Sequence, residues 1–185
     1  MTSCRQHETE SGVFFVHNLP VYILPTLLIA AALGDVMSLR IPNWLTLLTA
    51  GLFFPTALLM QMPLVEFESH LLAGVLLFII GYLLFTFGIF GGGDGKLMAA
   101  AGLWFGVSKI IPFLFYTAFA GGVLAIIVIA WSLFMMSWEI KGDGAPFAGL
   151  AKKLRTMAPS VPYGVALAVG GILAFKDTWW MNGLV

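Results

Sequence analysis

The chain has one cysteine, few charges and no excess of either sign. A lone thiol, Cys4, excludes an internal disulfide and any CxxC metal or redox site, and in a polar stretch it reads as incidental. Nine basic residues balance nine acidic ones, so no net field argues for a nucleic-acid partner. Charged residues make up 10% of the chain and hydrophobic ones 60%, which excludes an ordinary soluble domain. Ten-residue alternation is also missing, which excludes an outer-membrane barrel. The N-terminus lacks the basic start, short apolar core and small-residue cleavage site of a secretory signal, so the first apolar run is expected to be retained. His7 and His17 have no ligand cluster near them and read as tail or interface residues, not metal ligands.

What is there is a series of long apolar runs. At about 20 residues per span they allow six transmembrane helices with little left for a soluble domain. The expected fold is an all-α integral membrane bundle over residues 19–185, after a polar tail at 1–18. Span one is expected from Leu19 to Leu33, carrying Pro20 and Pro25, which membrane helices tolerate. It leads into Asp35 and a short turn with Arg40 and Pro42, where Asn43 reads as the N-cap of the next helix. Span two covers Trp44 to Met62, interrupted at Pro55, and the loop Pro63 to His70 holds Glu66 and Glu68 but no lysine or arginine. Span three covers Leu71 to Phe90. Span four, Leu97 to Val107, is short enough to be tilted or partly re-entrant, and Gly102 and Gly106 give it a small-xxx-small face. Span five runs from Pro112 to Trp138.

Residues 139–159 form the long polar connection, with a Lys152-Lys153-xx-Arg155 cluster read as a topology-setting basic loop and an Asp143-Gly144 turn. Span six covers Pro162 to Trp180. Ala166, Gly170 and Ala174 line one packing face, and Trp179 and Trp180 read as an interfacial anchor.

The chemistry concentrates in Gly91-Gly92-Gly93-Asp94-Gly95-Lys96. An aspartate in hydrocarbon costs about 2.5–3.5 kcal/mol at the bilayer centre even on lenient scales, less nearer the interface, which makes Asp94 a functional-site candidate. The glycines let the backbone turn and let a substrate chain approach. A phosphate loop does not fit, because the GxxxxGK[ST] spacing is missing, Leu97 stands where a hydroxyl is needed and no strand precedes. A calcium loop does not fit either, for want of acidic ligands at alternate positions. Two spans separate Asp35 from Asp94, so both return to one membrane face. With six spans that face also receives Arg40, Lys96, Lys141, Lys152, Lys153 and Arg155, against Arg5, Lys109 and Lys176 on the other. The positive-inside rule then makes the aspartate face cytoplasmic, with both termini outside the cytoplasm.

Two carboxyls brought together hold one proton between them. Such a pair can activate a water as general base and protonate a leaving amine as general acid, with no cofactor and no metal. The segment from Asp35 to Asn43 resembles the first catalytic motif of the type IV prepilin peptidase family, and Gly91 to Leu97 resembles its second, GxGD. Pro162-Tyr163-Gly164-Val165-Ala166 is similar to a stretch in the last helix of those enzymes. The resemblance implies six membrane helices and a catalytic pair, Asp35 and Asp94. It implies cleavage of leader peptides from prepilins, a protein substrate, at the cytoplasmic face of the bacterial inner membrane. It also points to supporting or substrate-binding roles for Gly91, Gly93, Gly95, Lys96, Arg40, Pro42, Asn43, Pro162 and Tyr163. The larger bifunctional members carry an N-terminal segment with paired cysteines and methylate the new N-terminus. The sequence lacks these, so it resembles the short form of Tad/Flp-type pili and no methyltransferase activity is expected. The alternative from a different class is a non-enzymatic membrane protein, a proton-coupled carrier or a pilus or secretion assembly subunit, because buried carboxylates also relay protons. A carrier would show internal repeats with helices broken at midplane. No such repeat is present, and prepilin-like proteins encoded nearby would favour the enzyme.

Overall fold

The computed structural model describes residues 3–139, 162–176 and 178–182. Within them the order is α1 (Ser3–Ser38), α2 (Asn43–Leu59), α3 (Leu64–Thr86), α4 (Gly92–Phe105), a 3-10 turn (Val107–Lys109), α5 (Ile110–Glu139), α6 (Tyr163–Phe175) and a short α7 (Trp179–Asn182). The expected all-α membrane bundle is what forms. Pro20–Ser38, Leu64–Thr86 and Val107–Ser132 are long and apolar enough to cross a membrane, and α2 and α6 are shorter apolar helices. With 14 residues, α4 rises only about 21 Å at ~1.5 Å per residue, short of a hydrocarbon core of about 30 Å.

Several boundaries differ from the sequence reading. The stretch expected as a polar tail is helical from Ser3, and α1 continues past Leu33 to Ser38. Pro55 does not interrupt α2, which runs on to Leu59; one missing N–H removes one ladder bond, not the helix. Pro63 to His70 is not a loop, since Pro63 is the N-cap of α3 and Leu64 its first residue. The last helix stops at Phe175, and α7 follows after a break. The polar connection with Lys141, Asp143, Lys152, Lys153 and Arg155 lies outside the described residues.

The most extensive packing joins α3 to α4, followed by α5 to α6 and α1 to α6. On the first seam two glycines of each helix meet in antiparallel register. A Cβ at Gly81 would sit 2.9 Å from the Cα of Gly95, and one at Gly102 would sit 3.3 Å from the Cα of Gly74. Without side chains there the two backbones touch, which in lipid is the main source of helix association. Gly106 also faces α3, where a Cβ would meet Ser69 and His70, but it lies just past the helix. It ends α4 with φ +68°, and His70 packs over it. On the other seam, Gly170 faces the backbone of Thr117 and Gly121 faces Ala166, as the four-residue spacing predicts.

The end of the bundle near the C-terminus of α4 is filled by aromatic rings. Phe53 lies 5.7 Å from His70 in a stacked pair, 6.0 Å from Trp104 and 6.1 Å from Trp180, both edge-on. Three ring nitrogens reach carbonyls: Trp104 Nε1 donates to Thr49 at 2.9 Å, Trp180 Nε1 to Trp104 at 2.7 Å and His70 Nδ1 to Leu103 at 2.7 Å. Trp180 is therefore no interfacial anchor, being 0% exposed. The break after Phe175 folds it back beneath the bundle, where its indole N–H finds a buried partner.

Candidate active site

Asp35 lies in the last turn of α1, just before the helix stops at Leu39, whose φ is +51°. Ser38 secures that end by donating to the carbonyls of Gly34 at 2.7 Å and Arg40 at 3.1 Å. The Asp35 side chain points inward and is 5% exposed. Its carboxylate accepts the N–H of Gly164 at 2.7 Å. Gly164 is the second residue of α6, where backbone N–H groups have no partner inside the helix and the helix dipole favours negative charge. A Cβ at Gly164 would lie 2.8 Å from the Cβ of Asp35, so a side chain there would displace the carboxylate.

Asp94 is held by its own helix. Gly91, extended at φ −69° and ψ 148°, is the N-cap of α4, and Asp94 is the third helical residue. The Gly91 N–H donates to Asp94 Oδ2 at 3.2 Å, as an acidic residue at that position does when it folds back on a helix start. Asp94 is half-buried at the mouth. Burial first, and then the neighbouring charge of Asp35, pushes its carboxyl up to about 6, against a smaller downward pull from the Gly91 N–H. The segments that carry the two acids meet at one mouth of the bundle, where Ile41 packs on Gly93 and the ring of Tyr163 lies 4.8 Å from that of Phe90. Among the described residues no hydrogen bond joins the two carboxyls, and each accepts one N–H from a helix start.

The remaining sequence candidates divide into three groups. Gly93 and Gly95 are taken up by packing: a Cβ at Gly93 would lie 3.3 Å from Ile41, and one at Gly95 would lie 3.0 Å from the carbonyl of Gly81. Gly91 is exposed and supplies the N–H to Asp94. Lys96 and Asn43, from different motifs, meet, with Nζ donating to Oδ1 at 3.1 Å. Asn43 is thus not the N-cap of α2; that place falls to Pro42, extended at φ −68° and ψ 136°. Arg40 is exposed in the turn. Pro162 is the N-cap of α6, and the ring of Tyr163 lies 4.8 Å from that of Phe90. Among the described residues no three His, Cys, Asp or Glu side chains gather as a metal would require.

Residue-type reasoning overlooked Gly164 as a member of the site. The available signal was its place two residues after Pro162, at a helix start where a free N–H can hold an anion. Phe90 reads in sequence as the end of a span, and nothing in the apolar run distinguishes it.

These features define a multi-pass helical membrane protein with two inward-facing acids at one mouth of the bundle. The sequence model of the type IV leader peptidase family matches residues 22–126, more than half of the chain. The chain belongs to that family and is a leader peptidase in general terms, a protease acting on protein. The matched stretch contains Asp35, the turn to Asn43 and Asp94, and it ends before Gly164. No protein of curated function and no solved structure matches the chain.

Proposed function

We propose that this protein is an intramembrane aspartyl endopeptidase that cuts leader peptides from type IV or Flp-type prepilins at the cytoplasmic membrane face. What supports this most is that two acids far apart in sequence are each held at one mouth of the bundle, Asp35 at the end of α1 by the Gly164 N–H of α6 and Asp94 by the start of α4. In the working state one carboxyl is ionised and the other carries a proton. The ionised member takes a proton from a water, whose oxygen attacks the scissile carbonyl. The protonated member first supplies hydrogen bonding to the developing oxyanion, and a proton then passes to the leaving amine as the C–N bond breaks. The products are a free leader carboxylate and a new N-terminal amine, with no cofactor consumed. The substrate's apolar helix remains in the bilayer while its leader lies across the mouth.

The test is purified protein in detergent with a synthetic prepilin, scored for leader release. Wild type should cleave, and Asp35→Ala and Asp94→Ala should each abolish release while still inserting into membranes. Full processing by either variant refutes the pair.

A further inference from the structure

α1, which carries Asp35, has little direct packing against α4, which carries Asp94; the two are joined through α2 and α6. Beside that packing, a short turn ties the Asp35 end of α1 directly to α4. It leaves α1 at Leu39, buries Ile41 and enters α2 at Asn43. It touches the first turns of α4 at two points that bracket Asp94. Ile41 is seated where a side chain on Gly93 would be, its Cβ 3.3 Å from the position a Cβ there would take. Asn43 Oδ1 accepts from Lys96 Nζ at 3.1 Å. The first contact limits how near the turn can come to α4, and the second limits how far it can move away. Among the described residues no ion pair joins Lys96 to Asp94; the ammonium of Lys96 is directed instead to the neutral amide of Asn43.

We infer that Asn43 and Lys96 are positioning residues, a latch that fixes the separation of Asp35 and Asp94 by tying the α1–α2 turn to the start of α4. This rests on the peptidase reading above. Both side chains are exposed, so their loss leaves the core intact. The latch acts on the bond-making step and not on holding substrate.

The experiment is a double-mutant cycle of Asn43→Leu, Lys96→Met and the pair, with kcat and KM for a synthetic prepilin, plus Asn43→Asp as the conservative variant. Each single change should lower kcat by at least about tenfold, towards the ~10²-fold that a misplacement of about 1 Å costs, with KM within about twofold. The double variant should be no worse than the worse single one, because both break the same contact, and Asn43→Asp, which keeps the acceptor, should recover most of the rate. In a Cys4→Ser background, spin labels at the exposed Met37 and Ile89 should give a broader distance distribution in Asn43→Leu than in the parent. Additive losses, a change confined to KM, or unchanged kcat with an unchanged distribution would overturn the latch. If wild type fails to cleave while the labels still broaden, the peptidase reading fails and the latch stands.

Discussion

The two ends of the bundle are built on opposite plans. At one end Phe53, His70, Trp104 and Trp180 are each at most 1% exposed, and every ring N–H among them that donates finds a carbonyl. At the other end two acids are turned inward, glycines replace side chains, and the contacts are single hydrogen bonds from helix starts. The aromatic end gains stability from area and from satisfied polar atoms. The acidic end gives some of that up, since burying two acids near one another raises the cost of charging them. The difference teaches that order at the acidic mouth is borrowed from backbone, through α6 for Asp35 and through α4 for Asp94.

That contrast can be broken from either side. The largest effect is expected at the acidic end: Asp35→Asn or Asp94→Asn should remove the proton transfer, typically worth about 10²–10⁴-fold, leaving leader release at background while thermal unfolding in detergent hardly moves. The aromatic end should behave in reverse. Trp180→Ala, at 0% exposure, should cost about 3–5 kcal/mol of stability, seen as a lower unfolding midpoint, with the pH profile of the remaining folded enzyme unchanged. Gly164→Ala should fall between them. Its methyl would meet the Asp35 Cβ at 2.8 Å and carboxylate at 2.9 Å, and displacing that group should lower kcat by about 10²-fold with a stability loss of about 1–3 kcal/mol, below that of Trp180→Ala.

The smallest effect is on pH. Asp94 holds its proton up to about 6, whereas an unfolded aspartate releases it near 3.9. Between those values the folded state binds the extra proton, so this group's contribution to stability is fully present below the unfolded value and is lost as pH rises through about 6. The same proton is needed for the acid step, so kcat/KM should decline on the alkaline side of about 6. Unfolding midpoints and rates collected across pH check both signs.

Much of this was legible beforehand. Long apolar runs and the low share of charge carried the helical membrane fold. Part of the seams shows in sequence, in Gly102 on α4 and in Ala166 and Gly170 on α6, whereas their glycine partners Gly74 and Gly81 on α3 do not stand out in its apolar run. The ends of helices were not. Pro55 reads as a break and Trp179-Trp180 as an anchor only until neighbours supply partners, and those partners come from elements distant in sequence. Asn43 followed the same pattern: its local preference is to cap a helix, and a lysine from α4 takes its oxygen instead. Gly93 and Gly95 show the same limit, since a glycine packed against Ile41 or Gly81 looks the same in sequence as one that leaves room for a substrate.

The coupling of the two acids is measured most directly by infrared titration of the carboxyl C=O stretch, with labelled aspartate, in wild type and in Asp35→Asn. In wild type Asp94 should titrate near 6, and removing the Asp35 charge should bring its midpoint down while burial keeps it above the ordinary aspartate value. An Asp94 midpoint that does not move in Asp35→Asn would show that the two groups do not sense each other, and the shared proton would have no basis.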